Sequence, residues 1–543
     1  MMGSLAGAKW GELAIIASII MASVIFFWTQ SRVLNLMLLG DESTITMGTD
    51  LHAYRQWYLL ISSLIVGFVG LIILHVIRMF TGPDHKRRGS SHLFLGFHWE
   101  RTVNVADIAI FIKTATLTGF FRVGRYNKER RLSTMELFKR EKYLSKIRGF
   151  YDADDMIKVI TGVRRCGKSC LMQTIMGELS ANGVPADHLI YLNLDSRSYR
   201  HVQTAEVLDQ LIASYASLPG RKYLFIDEIQ NVSQFERVIN SFREDGDFSI
   251  FITGSNSYLL SGELVTKLTG RYIAFELYPL SFDEYEEMKQ FYHKAIDPDR
   301  LQELSQYILE GGFPRAIGFD ELADKRTYVQ GIIQEIFEKD IRRRVKIRDR
   351  QSFETVRNFI INNFGATTSI SSLHDSLRKN GLEISRQTIA RYIQILEDAK
   401  ILYCCDRFDM KSKRALSGEK KYYLADLSFY FALNTDNRIN YGPALENIVF
   451  IYARSMGYAV SIGRIGALEC DFILRGGDMQ YAYVQVALTI LSSRKTEDRE
   501  YRPLEMIRDN YPKYVATSDA FLQQRNGIQH INIIDFMKNQ RRF

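Results

Sequence analysis

The sequence predicts an α/β fold whose centre is a doubly wound parallel sheet. Three short runs predict it, each ending in a turn rich in polar or glycine residues: Met156–Thr161 (MIKVIT), Tyr223–Ile226 (YLFI) and Phe248–Thr253 (FSIFIT). Strands covered on both faces lose the apolar–polar alternation of a half-exposed strand and read as continuous apolar runs, as these do.

A chain of 543 residues exceeds one ordinary core, so roughly two to four folded units are expected. The apolar content is that of a globular protein and no long low-complexity tract occurs, which excludes global disorder. A net charge of +8 is modest at this size and reads first as a solvated Lys/Arg face. The five cysteines (Cys166, Cys170, Cys404, Cys405 and Cys470) form no CxxC pair and no Cys/His array, so neither a disulfide framework nor a zinc site is supported.

The first of the three runs feeds Gly162-Val163-Arg164-Arg165-Cys166-Gly167-Lys168-Ser169, followed by the apolar helical stretch Cys170–Leu179. This is GxxxxGK[ST] in the strand–loop–helix setting that the motif requires. Gly162 and Gly167 permit backbone angles that let successive amides face a phosphate. Lys168 brings a point charge to the β- and γ-phosphates, Ser169 a hydroxyl for Mg²⁺, and the helix N-terminus its dipole. The second run ends in Asp227-Glu228. There Asp227 holds Mg²⁺ directly or through water, and Glu228 polarises the attacking water. After the third run, Asn256 in Gly254-Ser255-Asn256-Ser257 either reaches the γ-phosphate or only makes the turn that these residues favour.

VITGVRRCGKS, LFIDEIQ, FITGSNS, LTGRYIAFELYPLSFDEY and GGFPRA together resemble the AAA-type ATPases that carry a DUF4143 domain. The resemblance runs from about Met135 to the end. It implies ATP as the nucleotide, and it offers Arg271, Arg315 or Arg342–Arg344 as the γ-phosphate sensor, within one subunit or across a homo-oligomer boundary.

C-terminal to this region, Ser371–Lys379, a turn at Gly381, and Arg386–Lys400 capped by Ser385 read as a helix–turn–helix, with a strand after it at Ile401–Cys405. This predicts a winged helix whose Arg386, Gln387, Thr388 and Arg391 face outward, with DNA as a possible partner. Further on, a helix bearing Glu446 and a strand bearing Asp471 match parts of a PD-(D/E)xK nuclease core, but Gln485 stands where an acid is expected. Ala487 stands where that chemistry needs a lysine, with Arg464 as the conceivable substitute. Cleavage is not expected.

Ahead of all this lie two apolar runs, Leu13–Thr29 and Trp57–Ile77, each long enough to cross a bilayer as a helix. Arg78, Lys86, Arg87 and Arg88 after the second place both termini and the ATPase on the cytoplasmic side. Val105–Phe121, which carries Asp107 and Lys113, reads as an interfacial or buried helix. The resembling family commonly starts near Met135, so the hairpin is either an added module or an overextended reading frame. The expected organisation is a membrane hairpin over 1–80, a linker over 81–134, the ATPase over 135–290, a helical connector over 291–365, a winged helix over 366–410 and a nuclease-like unit over 411–543.

Overall fold

The computed structural model describes residues 137–254, 270–342, 347, 349–412, 414–434 and 438–543. All of them belong to one unit, Asn127–Phe543. The expected membrane hairpin, the interfacial helix and Asn256 lie outside the described residues. Among the described residues, no helix is long and apolar enough to cross a membrane.

The chain enters through α1 (Glu141–Ile147) and builds a five-stranded parallel sheet from β1 (Ile157–Thr161), β2 (Leu189–Asn193), β3 (Lys222–Asp227), β4 (Phe248–Thr253) and β5 (Tyr272–Glu276). The spatial order is β2-β3-β4-β1-β5. Helices α2 (Lys168–Ala181), α3 (Ala205–Ala213) and α4 (Phe235–Glu244) form the connections. The strand residues alternate between two cores, which is why the runs are apolar throughout. Ile157, Val159, Leu224, Ile226, Ile250 and Ile252 face one layer, whereas Ile160, Phe225 and Phe251 face the other. Because β4 sits between β1 and β3, its last residue, Thr253, stands between the phosphate loop and the acidic pair.

The connector holds α5 (Phe282–Phe291), α6 (Arg300–Glu310), α7 (Pro314–Ile317) and α8 (Leu322–Glu335). The last of these runs on into a π-helical turn, Ile336–Ile341. A capping box between Ser281 and Glu284 starts α5, and Asp299 caps α6.

Then come α9 (Arg350–Asn362), β6 (Thr367–Ser369), α10 (Ile370–Lys379), α11 (Arg386–Asp398), β7 (Leu402–Asp409) and β8 (Arg414–Leu424), with β8 antiparallel to both β6 and β7. After α12 (Ser428–Leu433) and α13 (Tyr441–Ser455) follow β9 (Ala459–Ile465), β10 (Leu468–Arg475), β11 (Tyr481–Val486), α14 (Arg494–Glu505), β12 (Lys513–Thr517), β13 (Gln524–Arg525), β14 (Ile528–Asn532) and α15 (Ile533–Lys538). β7 also pairs in parallel with β9, joining everything from β6 onward into one nine-stranded sheet. The boundary expected at 410/411 therefore falls in the turn between β7 and β8, inside one continuous sheet. Local patterning signals strands but not their non-local partners.

Candidate nucleotide site

The phosphate loop follows β1 and passes directly into α2. Gly162 has φ +139°, and a Cβ there would lie 2.1 Å from the carbonyl oxygen of Leu277. Gly167 has φ +107°. Both positions thus require glycine, one for space and both for conformation. Arg165 adopts φ +68° at the loop apex. Behind the loop the buried Arg140 donates to the carbonyls of Cys166 (3.2 Å) and Tyr278 (2.7 Å) and pairs with Glu284 at 2.6 Å. Val163 and Cys166 are fully buried, and burial pushes the Cys166 thiol up, so this cysteine packs the loop rather than reacting.

Lys168 is buried at 5% exposure, and its Nζ donates to the carbonyls of Gly162 and Val163, each at 3.1 Å. Among the described residues it has no carboxylate partner. A buried ammonium without a counter-charge fits a site made for an anion. Ser169 and Cys170 lie in the first turn of α2, Ser169 half-buried and Cys170 exposed.

Asp227 ends β3. One carboxylate oxygen accepts from the Thr253 hydroxyl and the other from the Tyr191 hydroxyl at 2.9 Å. Both donors are neutral hydroxyls, which leaves carboxylate lone pairs for a cation or its water. Glu228 has φ +58°, and its amide donates to the same Thr253 hydroxyl at 3.1 Å. Its carboxylate accepts from Gln230. A non-glycine residue in the left-handed region costs energy and is held there by its surroundings. Thr253 thus ties both acids to the central strand. Sequence reasoning looked past it to Asn256, although a polar residue closing an apolar strand was a visible signal.

Of the arginines, Arg271 precedes β5, and its carbonyl accepts from the amide of Ile157, the first residue of β1. It therefore lies at the opposite end of the sheet from the phosphate loop, where it donates to Asn240 at 3.1 Å. The expectation that it senses the γ-phosphate within one subunit is corrected by strand direction. By contrast, the GGFPR turn reaches the loop: a Cβ on Gly167 would lie 4.0 Å from Pro314 Cγ. Arg315 is exposed beside it, over the Phe319 ring at 5.7 Å. This turn is held by Asp426, which accepts from the Gly312 amide at 2.6 Å. Burial pushes the Asp426 carboxyl up to about 6, against the Ser428 and Gly312 donors. Arg342 pairs with Glu338 at 2.9 Å.

The loop arginines face the connector. Arg164 makes a bidentate pair with the buried Asp340 (2.9 and 2.8 Å), and Arg165 meets Glu335 at 3.1 Å. Glu335 also pairs with Lys339, which reaches Asp195.

Residues 154–286 match the AAA domain family. An uncharacterized protein of Haemophilus influenzae is 35% identical over 403 residues, covering 74% of this chain and 98% of that one. The chain belongs to that protein's family. An uncharacterized protein of Methanocaldococcus jannaschii is 30% identical over 383 residues, covering 69% of this chain and 83% of its own. A Walker-type ATPase of Pyrococcus abyssi aligns in structure with TM-score 0.40 at 16% identity, over 55% of this chain and 96% of that one. The residues that match the AAA domain family hold the parallel sheet and its phosphate loop.

Residues 301–439 match a domain of unknown function, DUF8612, rather than the DUF4143 domain expected at the C-terminus over 411–543. Residues 1–98 match the FecCD transport family. There a hemin transport permease of Yersinia pestis is 36% identical over 95 residues, 16% of this chain and 28% of the permease.

In the C-terminal sheet, Glu446 and Asp471 act on one another electrostatically, and Lys421 from β8 pairs with Glu446. Its Nζ is 3.0 Å from Glu446 and 2.9 Å from Glu469. Arg464, the expected substitute, donates to Gly466 in its own turn instead. Burial first, then Glu446, raises the Asp471 carboxyl well above the ordinary range, against Lys421 and the Val486 amide. Gln485 bonds Glu500 at 3.0 Å, and Ala487 is buried. Among the described residues, no group of three His, Cys, Asp or Glu side chains is arranged to hold a metal. On α11, Arg386, Gln387 and Arg391 are exposed, while Thr388 bonds the Ser385 cap.

Proposed function

We propose that this protein is an ATP-driven switch, in which Mg²⁺-dependent hydrolysis at the phosphate loop alters how the C-terminal units meet a partner. The observation that carries this reading is the Arg164–Asp340 pair, which bridges the phosphate loop to the π-turn leading into those units. In the proposed reaction Lys168, with the loop amides of Val163 to Cys170, binds the β- and γ-phosphates. Ser169 and Asp227 are the residues that would hold Mg²⁺, whose charge neutralises the phosphate oxygens. Glu228 takes a proton from water as the water oxygen bonds to the γ-phosphorus, and the bond to the bridging oxygen breaks to release ADP. Arg315, beside Pro314 at the loop, is our candidate for the γ-phosphate sensor. Arg271 would act only from a neighbouring subunit of a homo-oligomer.

The deciding experiment measures phosphate release by the full chain and by Glu228→Gln. Turnover in the parent, with ATP binding but no turnover in Glu228→Gln, supports the assignment. ATP binding without turnover in either would make the protein a nucleotide-binding scaffold.

A second reading, a DNA-processing ATPase, is favoured by the exposed Arg386, Gln387 and Arg391 on a capped helix whose strand neighbours have winged-helix order. It requires turnover stimulated by duplex DNA and a steep loss of that stimulation with salt. We also infer membrane attachment through residues 1–80 with the ATPase cytoplasmic, a reading supported by the two apolar runs and the permease-family match.

A further inference from the structure

A cavity of about 260 Å³ opens between the end of α8 with its π-turn, the helix α9, and α12. Ile333, Phe337 and Leu433 form its apolar wall, Gln334 lies at its exposed rim, and Arg350, Glu354 and Arg357 line it from α9. The two arginines are seven residues apart, two turns along one face of the helix and about 10 Å apart along its axis.

Their surroundings differ. Arg350 bonds Glu354 at 2.8 Å, approaches Glu338 at 3.6 Å and lies over the Phe337 ring at 4.7 Å. Arg357 donates from Nε and Nη2 to a single carboxamide oxygen, that of Asn358, at 3.1 and 3.0 Å. Among the described residues, no carboxylate lies within ion-pairing distance of it. Burial pulls its guanidinium below the ordinary value, Glu354 only partly restores it, and Arg350 adds to the pull. With Arg350 and Arg357 against the single carboxylate of Glu354, which is itself bonded to Arg350, the described lining is net cationic, and the half-buried Arg357 at the open cavity suits an anion. The planar fork suits a carboxylate or phosphate bound through two oxygens.

We propose that this cavity binds a small organic oxyanion, with its charged group on the Arg357 guanidinium in place of the Asn358 oxygen and its apolar body against Ile333, Phe337 and Leu433. The volume lies near the lower end of small-molecule pockets, which favours a metabolite-sized ligand over a polymer backbone. The site does not depend on the ATPase reading.

The test uses the full chain carrying Lys168→Ala, so that the phosphate loop does not compete for the probe. Thermal midpoints are followed against phenyl phosphate and against benzoate at constant ionic strength, with KCl as the control. A saturable rise with at least one probe is expected, with at least tenfold weaker apparent affinity after Arg357→Gln. Saturation by phenyl phosphate alone identifies a phosphate ester as the ligand class, and by benzoate alone a carboxylate. Gln334→Trp at the rim should abolish the rise as well, which keeps the test readable if Arg357→Gln folds poorly. The proposal is overturned if neither probe gives a saturable rise beyond KCl, or if both variants keep the parent affinity.

Discussion

Thr253 is the side chain on which the two proposed catalytic acids depend, because its hydroxyl donates to Asp227 and accepts from the amide of Glu228. Thr253→Val keeps the shape and removes both bonds. Phosphate release should fall about 100-fold, the scale of one mispositioned acid–base group, while ATP affinity changes less than about threefold. Turnover near the parent rate would remove Thr253 from the mechanism. Asp426 behaves differently, since its carboxyl is raised from an ordinary 3.8 to about 6 by burial. A raised acid binds its proton more tightly folded than unfolded, so its contribution is full below pH 3.8 and is lost as pH rises through 6. The span corresponds to about 3 kcal/mol. Urea midpoints of the parent should therefore decline relative to Asp426→Asn between about pH 4 and 7, and parallel profiles would refute the assignment. Lys168, Ser169, Asp227 and Glu228 were legible because each belongs to a contiguous motif. Thr253 and Asp426 were not, because their partners arrive through the order of strands and the docking of a distant turn.

Individual elements matter here mainly through their ends. The π-turn after α8 presents Asp340 to Arg164, with Glu335 just before it facing Arg165, so the phosphate loop and the connector share their charges. Removing one partner of a buried pair leaves the other uncompensated, a loss of about 3–5 kcal/mol. Asp340→Asn keeps one acceptor for Arg164, so its cost should fall below that range. The stronger expectation concerns coupling. In the parent, ATP should change hydrogen exchange across Ile336–Ile341, because incoming phosphates compete for the loop arginines. In Asp340→Asn this response should shrink while ATP still binds. An undiminished response would mean that the pair does not transmit the nucleotide state. The strands and helices here were largely readable, since caps such as Ser385 and runs such as FSIFIT are local signals. The π-turn was not, because a widened helical turn has no composition of its own.

Across the whole described unit, the organising feature is that β7 pairs with β9, so the three-stranded hairpin sheet and the sheet bearing Glu446's neighbours are one. Lys421 strengthens the same join: it rises from β8 to meet Glu446 on α13 and Glu469 on β10. Its ammonium is held above the ordinary value despite burial, chiefly by Glu446 and then by Asp471 and Glu469. The sequence resolved the two halves as separate domains because each has its own local pattern, whereas a parallel pair formed between distant strands leaves no local mark. If the sheet is a single cooperative unit, native-state hydrogen exchange should give β7, β8, β10 and β11 one common opening free energy. Lys421→Met takes the cation from Glu446, while Glu469 keeps Arg407 at 2.6 Å, so it should lower that value for all four strands together. A loss confined to β8, or two distinct opening energies in the parent, would restore the boundary near residue 410 and make the nine-stranded sheet two independent bodies in contact.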